Sequence, residues 1–539
     1  MAALVSAALL ELPFPLAGPM QAWRSIFAWF GLAPFLWAIL STVPTAKNPL
    51  RRGFCLGYFA GVLWYMGNCY WVRDTMMQYG DMPPLAPELL LIAFGLFLGT
   101  YVGLFGLGLA WIRQRTGSVQ WTLLAAPFLW TALDLAAAHI TSDPWDQLGY
   151  SQIDNQLINR LATVTGVYGI SFLLVVVNAL LAGFFLLPAR RARLIALSSA
   201  ALLTAASLLG LCLNPAPAPT SATAVLVQPN LEVTGVGLWN RPGEWESHAK
   251  RFAQLSASQC KSYIAGMPES GAPSGEIVCP PYATHPDLVA WPESPAPFFE
   301  DDRRFQQLYA TVGKSVQAAS VIGAIGVELE KGSEGTNLHE YNSALIADAS
   351  GNRVGRYDKI HLVPFGEYVP FQQFLVFARK LTGQVSRFDR GTTHKTFVLD
   401  GHRYGIFICY ESVFADEVRE FAQNGAEALV NISDDGWYGD TSAPWQHLNM
   451  ARMRAVENRR WILRDTNSGV TASIDPYGRV RQSIPRHVED ALPAQYGFRK
   501  DVTFYTAHGD LFAELCVLLS LGLLGYKPRR PGKTEPVAE

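Results

Sequence analysis

Residues 404–411 read YGIFICYE. The run 404–408 is short and mostly apolar, which predicts a buried strand that ends at Cys409. A cysteine in such a position is usually a small buried hydrophobe. It becomes a candidate nucleophile when a base or a positive charge lies near it, because the thiolate is the reactive form. The stretch therefore predicts an α/β sheet and directs attention to charged residues at the ends of other strands.

The chain around this strand alternates strands with helices after a Pro/Ala linker at 214–220. Predicted strands lie at Ala222–Gln228, Leu288–Trp291, 321–327, 341–347, 428–432, 461–465 and 469–474, and predicted helices lie at 302–319 and 443–459. Such alternation over about 280 residues is typical of a layered α/β domain.

The composition separates this domain from the preceding part of the chain. The 539 residues are 50% hydrophobic and 16% charged, with a net charge of −2. Residues 1–215 hold only 19 charged residues, and residues 216–539 hold the other 69. The overall charge provides no attraction for nucleic acid, so we expect no nucleic-acid partner. The charge-poor part is typical of a membrane protein.

Eight segments are apolar for about the 20 residues that span a bilayer. They lie at 3–19, 25–43, 53–72, 86–112, 118–138, 161–187, 194–213 and 509–526. The first is the weakest because Glu11, Pro13 and Pro15 interrupt it, and a re-entrant segment is the alternative.

Basic residues fall in alternate loops and in the tail, which predicts cytoplasmic termini. They are Lys47, Arg51, Arg52, Arg113, Arg115, Arg190, Arg191, Arg193, Lys527, Arg529, Arg530 and Lys533. The segment between the last two spans then lies outside the cytoplasm. Aromatic residues are frequent at the ends of the spans and in the outer loops 70–84 and 140–160, where they form an interfacial belt or line a groove for lipid.

Three residue types at strand ends suffice for covalent acyl transfer. Glu293 follows a strand in the sequence WPES, Lys359 lies in YDKIH, and Cys409 follows the strand described above. A carboxylate accepts the proton of a thiol, and an ammonium stabilises the oxyanion of a tetrahedral intermediate. Spacing alone does not join the three segments, since a lone Lys-x-His is usually a surface feature.

Together, the segments resemble the nitrilase (C–N hydrolase) superfamily, which has a Glu-Lys-Cys triad in this chain order. The longer motifs resemble the apolipoprotein N-acyltransferase family. They read HLVPFGEYVP at 361–370, CYE at 409–411, DGWYG at 435–439, PWQH at 444–447 and MARMRA at 450–455. The resemblance implies a polytopic α-helical bundle of about eight spans plus a nitrilase-like α-β-β-α sandwich domain. It also implies a bundle at 1–215, an extracytoplasmic catalytic domain at 216–500, and a final helix with a cytoplasmic tail at 501–539.

The resemblance assigns the triad roles residue by residue. Glu293 would be the general base, Lys359 would stabilise the oxyanion, and Cys409 would carry the acyl group as a thioester. Glu367 would match a second, supporting glutamate of the family.

Three further residues are implied with less specific motifs. Tyr410 and Glu411 match residue types that the family requires after the nucleophile. Trp245 would match a functional tryptophan of an early loop, and Trp239 competes with it for that match.

The implied reaction has two steps and two lipid substrates. A membrane phospholipid would donate its sn-1 acyl chain to the enzyme, and a diacylglyceryl apolipoprotein would accept it on its α-amine. The implied location is the cell inner membrane, with the catalytic domain on the periplasmic side. The sequence contains no metal-ligand spacing, phosphate loop or dinucleotide motif, so we expect no metal and no cofactor.

An apparent insertion at 259–284 carries Cys260 and Cys279. The environment outside the cytoplasm permits a disulfide between these two cysteines, and the sequence leaves open whether they pair. With these two paired, Cys409 would be the unpaired cysteine of the soluble domain. We expect Cys55, Cys69, Cys212 and Cys516 to be packing residues within spans.

Two alternatives remain open at this point. A membrane-tethered amidase acting on a small C–N substrate would use the same triad but would leave seven preceding spans unexplained. A transporter or scaffold with an inactive enzyme domain is disfavoured because the triad residues are all present and few charges lie within the spans.

Overall fold

The computed structural model describes residues 1–80, 83–233, 241, 243–257, 285–293, 298–332, 335–364, 366–368 and 388–526. An α-helical bundle precedes an α/β domain, and a final apolar helix returns to the bundle. The bundle contains helices Ala2–Glu11, Ala33–Thr42, Pro49–Asn68, Trp71–Tyr79, Ala86–Thr116, Val119–Ile140, Ala162–Leu186 and Arg190–Cys212, with 3-10 turns at Ala22–Trp29, Leu148–Gln152 and Asn159–Leu161. We call these elements the membrane bundle.

The predicted number of eight spans is not confirmed. Within the described ranges, five helical segments are long and apolar enough to cross a membrane: Ala22–Thr42, Ala86–Thr116, Val119–Ile140, Asn159–Leu186 and Arg190–Cys212.

The differences at the two ends of the chain have physical causes. The first predicted span is a 10-residue helix, Ala2–Glu11, which ends before Pro13 and Pro15. The last is the 15-residue helix Leu511–Gly525, which is about 22 Å long and shorter than a hydrocarbon core of about 30 Å.

Helices Pro49–Asn68 and Ala86–Thr116 pack backbone against backbone. A Cβ on Gly57 would lie 2.2 Å from the carbonyl oxygen of Val102, and one on Gly106 would lie 2.3 Å from that of Gly53. Such separations exclude any side chain, so glycine is what lets these apolar helices approach so closely.

Cysteines of the bundle differ in burial from the expectation. Cys69 and Cys516 are buried, as packing residues would be, but Cys55 and Cys212 are exposed on the helix surface. Their thiols therefore contribute little to packing. Cys260 and Cys279, with the insertion at 259–284, lie outside the described residues.

The α/β domain contains two six-stranded sheets in its described part. One has the order β12-β1-β2-β3-β4-β5 and the other β11-β10-β9-β8-β7-β6. The strands are β1 Ala222–Gln228, β2 Leu288–Trp291, β3 Ala319–Gly332, β4 Gly335–Ala347, β5 Arg353–Asp358, β6 Thr396–Leu399, β7 His402–Ile408, β8 Ala428–Ser433, β9 Ile462–Thr466, β10 Thr471–Ile474, β11 Val480–Ile484 and β12 Asp490–Tyr496.

Alternation of side chains along the strands builds the layers. In β1, Ala224 and Leu226 belong to the core between the two sheets, whereas Val225 and Val227 belong to the core under two helices. Those helices are Glu244–Ser256 and Arg303–Val316, and helices Ala415–Gln423 and Ala443–Asn458 accompany the other sheet. The order helix-sheet-sheet-helix is the predicted sandwich.

Two predicted boundaries are corrected by the structure. Strands β3 and β4 form a hairpin that extends well beyond 321–327 and 341–347. Its outer part is polar in sequence and carries exposed Leu329 and Leu338, so it lacks the buried pattern that signals a strand. The helix predicted at 302–319 ends at Val316 because β3 begins at Ala319.

Helix Ala443–Asn458 joins the domain to the membrane bundle. Leu448 and Ala455 lie in the core between the sheets, whereas Met450, Met453 and Val456 lie in the core of the bundle. Every side chain of this helix from Gln446 onwards, apart from the partly exposed Arg452, is buried. The α/β domain and the bundle therefore share one helix.

The close contact at Gly57 predicts that a side chain at this position lowers the stability of the protein. Gly57→Ala should lower the thermal unfolding midpoint of the detergent-solubilised protein, because overpacking costs about 1–3 kcal/mol. Gly522→Ala is the matched control, since a Cβ there meets nothing within 4 Å and alanine favours a helix. Equal midpoints for the two variants would contradict the contact.

Candidate active site

The three predicted triad residues meet at one edge of the sandwich. Glu293 lies two residues after β2, Lys359 directly after β5, and Cys409 directly after β7. Strand β5 is antiparallel to β4, which is antiparallel to β3, so β5 runs in the same direction as β2 and β3. Their carboxyl ends consequently share one edge, where polar side chains gather in such sheets.

Lys359 is held between two carboxylates. Its Nζ lies 3.0 Å from Glu293 Oε1 and 2.9 Å from Glu367 Oε1, and its side chain is 1% exposed. Burial lowers the pKa of Lys359, but the two carboxylates outweigh this effect and raise it well above its usual value. The lysine is therefore an ammonium.

Glu293 remains ionised despite its burial. Burial raises its pKa, but the charge of Lys359, an amide hydrogen bond from Asn342 and a hydrogen bond with the Cys409 thiol together lower it. Its second oxygen, Oε2, accepts from the backbone N–H of Asp434 at 3.0 Å. An ionised carboxylate in contact with a thiol is poised to accept that thiol's proton.

Cys409 occupies a strained backbone position. It is 6% exposed and has φ +48°, in the left-handed region that non-glycine residues rarely adopt. Burial and the negative charge of Glu293 raise the pKa of its thiol, and Lys359 opposes them only in part. The group is a thiol at neutral pH and needs a base at the moment of attack.

Glu411 fastens the lysine segment to the nucleophile strand. One carboxylate oxygen accepts from the Tyr357 hydroxyl at 2.8 Å and from the N–H of Ile360 at 2.6 Å, and the other accepts from the N–H of Ile408 at 2.7 Å. Burial, with the charge of Glu417, raises the pKa of Glu411 to about 7. The hydrogen bonds described for Glu411 go to residues beside the triad and not to the triad side chains themselves.

Tyr410 points away from the triad towards the membrane bundle. Its hydroxyl donates to the carbonyl oxygen of Ser142 at 3.0 Å, in the loop that follows helix Val119–Ile140. The residue after the nucleophile is thus a direct contact between the two parts of the protein.

Trp245 is not brought to the triad. It lies on helix Glu244–Ser256, where its ring makes an edge contact with Phe298 and lies 4.6 Å from the Arg304 guanidinium. Its functional role stays a prediction, and the competing Trp239 lies outside the described residues.

Asn342 is a site residue that was not predicted from the sequence. Its Nδ2 donates to Glu293 Oε1 at 2.7 Å and to Glu367 Oε1 at 2.6 Å, while Glu367 Oε2 accepts from the N–H of Val363 at 2.7 Å. The amide bridges the two carboxylates that hold Lys359. A polar residue in a strand beside apolar neighbours was the available signal, but it does not reveal partners 49 and 25 residues away.

Among the described residues, no group of three or more His, Cys, Asp and Glu side chains is arranged to hold a metal ion.

Comparisons with known proteins cover both parts of the chain. Residues 6–180 match the apolipoprotein N-acyltransferase N-terminal domain, and residues 222–495 match the carbon-nitrogen hydrolase domain. An apolipoprotein N-acyltransferase of Geobacter metallireducens is 32% identical over 525 residues, covering 96% of this chain and 92% of that protein. The chain belongs to the apolipoprotein N-acyltransferase family.

A second relative in the family is the apolipoprotein N-acyltransferase of Bordetella bronchiseptica, 30% identical over 521 residues, with 90% of each chain covered. Among solved structures, an amidase from Nesterenkonia sp. aligns with 56% of this chain and 98% of its own, with a TM-score of 0.36 and 15% identity. The resemblance read from the motifs is confirmed, and the amidase alternative is less well supported because relatives along the whole chain are N-acyltransferases.

The Asn342 bridge predicts a pH-dependent loss of stability. Asn342→Leu removes a hydrogen bond that lowers the pKa of Glu293. A lowered pKa contributes stability above the ordinary value of 4.5, and this stability is lost as the pH falls through the folded-state pKa. The variant's thermal midpoint should therefore lie below that of the wild type at pH 7, and the difference should shrink below pH 4.5.

Asn458→Leu is the matched control. Asn458 is also buried, but its amide donates to the Arg454 carbonyl oxygen and accepts from the Thr506 hydroxyl. Its loss should lower the midpoint without this pH dependence. A deficit in Asn342→Leu that stays constant from pH 7 to pH 3 would contradict the bridge to ionised carboxylates.

Proposed function

We propose that this chain transfers the sn-1 acyl chain of a membrane phospholipid to the α-amine of a diacylglyceryl apolipoprotein. The observation that carries the proposal is the meeting of Cys409, Glu293 and Lys359 at one buried edge of a C–N hydrolase domain that shares a helix with a membrane bundle. Both substrates are lipids anchored in a bilayer, so an active site built against the bundle suits them.

The first step loads the enzyme. Glu293 takes the thiol proton of Cys409 as the sulfur attacks the carbonyl carbon of the sn-1 ester. The ammonium of Lys359 stabilises the oxyanion that forms. The intermediate collapses to a thioester, and the departing glycerol oxygen takes the proton back from Glu293 to leave a lysophospholipid.

The second step unloads it. The neutral α-amine of the acceptor attacks the thioester carbonyl, Glu293 takes a proton from the nitrogen, and the thiolate leaves and is reprotonated. An amide replaces a thioester, so the transfer is downhill. Water must be kept from the thioester during its lifetime, and the burial of Cys409 supports this.

Supporting roles follow from the contacts. Glu367 pairs with Lys359 beside Glu293, and Glu411 fixes the segment after Lys359 to the strand before Cys409. Tyr410 contacts the loop after helix Val119–Ile140, on the side from which lipid would come.

The arrangement in the cell is part of the proposal. The divisions are a bundle at 1–215, a catalytic domain at 216–500 and a final helix with a tail at 501–539. The protein would lie in the cell inner membrane, with the catalytic domain on the periplasmic side and both termini in the cytoplasm, as the alternate basic loops indicate.

A covalent intermediate tests the proposed reaction directly. Purified protein incubated with phospholipid should gain the mass of one acyl chain, and neutral hydroxylamine should remove it because thioesters are labile to this reagent. Cys409→Ala should gain no chain and transfer none. Cys516→Ala, which changes another buried free cysteine, should behave as the wild type. Transfer by Cys409→Ala, or a hydroxylamine-labile adduct on Cys409→Ser, would rule out the thioester mechanism.

Sidedness is tested by accessibility of introduced cysteines. The background carries alanine at every native cysteine other than Cys409. In intact cells, a membrane-impermeant maleimide that enters the periplasm should label Ser350→Cys, on an exposed turn of the catalytic domain. It should label Lys47→Cys only after the membrane is opened. The reverse pattern would place the catalytic domain in the cytoplasm and remove its access to the proposed acceptor.

A further inference from the structure

A second buried polar network lies directly behind the nucleophile. His447 Nδ1 lies 3.0 Å from Asp435 Oδ1, and His447 Nε2 lies 2.6 Å from Ser412 Oγ and 3.0 Å from the Cys409 carbonyl oxygen. Asp435 and His447 come from the motifs DGWYG and PWQH. The reaction proposed above gives neither of them a role.

The order serine, histidine, aspartate is that of a hydrolase triad, but this network has no access for a substrate. Ser412, Asp435 and His447 are each 0% exposed. None of them can touch a reacting atom, so any part that they play is exerted through the position of another residue.

The residue that they position is Cys409. Its left-handed backbone conformation costs about 1–3 kcal/mol unless the surroundings hold it. The His447 ring contacts the turn Cys409–Val413 twice, through the Cys409 carbonyl and the Ser412 hydroxyl. When Nε2 carries a proton, it donates to the Cys409 carbonyl oxygen. When Nε2 is unprotonated, it accepts from the Ser412 hydroxyl.

The orientation of the His447 ring is fixed by Asp435 and Arg464. Arg464 Nη2 lies 3.0 Å and 2.8 Å from the two oxygens of Asp435 and 3.0 Å from His447 Nδ1. Ser433 adds a hydrogen bond to Asp435 at 2.9 Å. A carboxylate with this many donors is ionised and immobile, so it orients the imidazole as second partners orient catalytic histidines elsewhere.

The membrane bundle supplies the remaining face of the ring. Trp145 stacks on His447 with centroids 6.0 Å apart and planes 18° apart. The Trp145 Nε1–H donates to Gln446 Oε1 at 2.9 Å, and Gln446 Nε2 donates to Asn68 Oδ1 at 3.0 Å. A bundle residue thus packs directly on the ring that holds the nucleophile.

We propose that His447 is a positioning residue that holds the backbone of Cys409 in its reactive conformation through Nε2, with Trp145 of the membrane bundle packed on its ring. This inference rests on the proposed acyl transfer through Cys409. Through Trp145 and His447, the packing of the catalytic domain on the membrane bundle would then affect the position of the Cys409 sulfur.

Two amide substitutions separate this role from general packing. The amide of Gln reaches the place of the imidazole Nε2, whereas the amide of Asn reaches only the place of Nδ1. His447→Gln should therefore keep acyl-enzyme formation and Cys409 alkylation by iodoacetamide within about threefold of the wild type. His447→Asn should slow both by about tenfold or more, the effect of one lost hydrogen bond.

Thermal unfolding midpoints and a remote variant provide the controls. His402→Asn, at a partly exposed histidine that pairs with Glu427, should match the wild type in both rates. Equal rates for His447→Gln and His447→Asn would overturn the proposal. If His447→Asn does not fold, His447→Gln alone decides the question. A tenfold loss of its acyl-enzyme formation and alkylation rates, at an unchanged thermal unfolding midpoint, would overturn the proposal.

The alkylation rate separates this inference from the proposed function. If the wild type forms no acyl-enzyme from phospholipid, the proposed reaction fails. The difference in alkylation between the two His447 variants still reports whether the histidine positions the sulfur.

Discussion

A buried ammonium held between two carboxylates is the constraint on which the catalytic domain depends. An unpaired lysine at the depth of Lys359 would be very costly, and removing one partner of a buried pair costs about 3–5 kcal/mol. Glu293 and Glu367 must therefore stay within contact distance of it, and Asn342 keeps them together. The ends of β2 and β5 and the segment at 359–367 are brought into one place by this requirement.

The same constraint separates the tasks of the two glutamates. Both contact Lys359, but Glu293 also contacts the thiol, whereas Glu367 accepts from the backbone at Val363. One carboxylate faces the chemistry and the other supports the lysine. Burial and the negative charge of Glu293 raise the pKa of the Cys409 thiol, so the sulfur becomes nucleophilic only as its proton leaves.

Glu293 and Cys409 were predictable as site residues because each follows a short apolar strand, whereas Lys359 follows the polar strand β5 and was predictable from the long motif around it. Asn342 was not predictable, since its partners are distant in sequence and a single asparagine in a strand has many uses. The predicted count of eight spans is not confirmed, and its weakest candidate is the 10-residue helix Ala2–Glu11, which ends before Pro13 and Pro15. The predicted strands at 321–327 and 341–347 are shorter than β3 and β4, because the outer part of this hairpin is polar and exposed. Burial patterns are visible in a sequence, but contacts between distant segments are not.

Helix Ala443–Asn458 belongs to two hydrophobic cores at once, and this affects how the protein can be divided. Met450, Met453 and Val456 are covered by the membrane bundle, so a catalytic domain expressed alone would present them to water as a contiguous apolar patch. Such a fragment would aggregate or bind detergent. Producing a soluble form would require polar replacements along this face of the helix. Met450 lies only one helical turn from His447, whose ring contacts the Cys409 carbonyl oxygen.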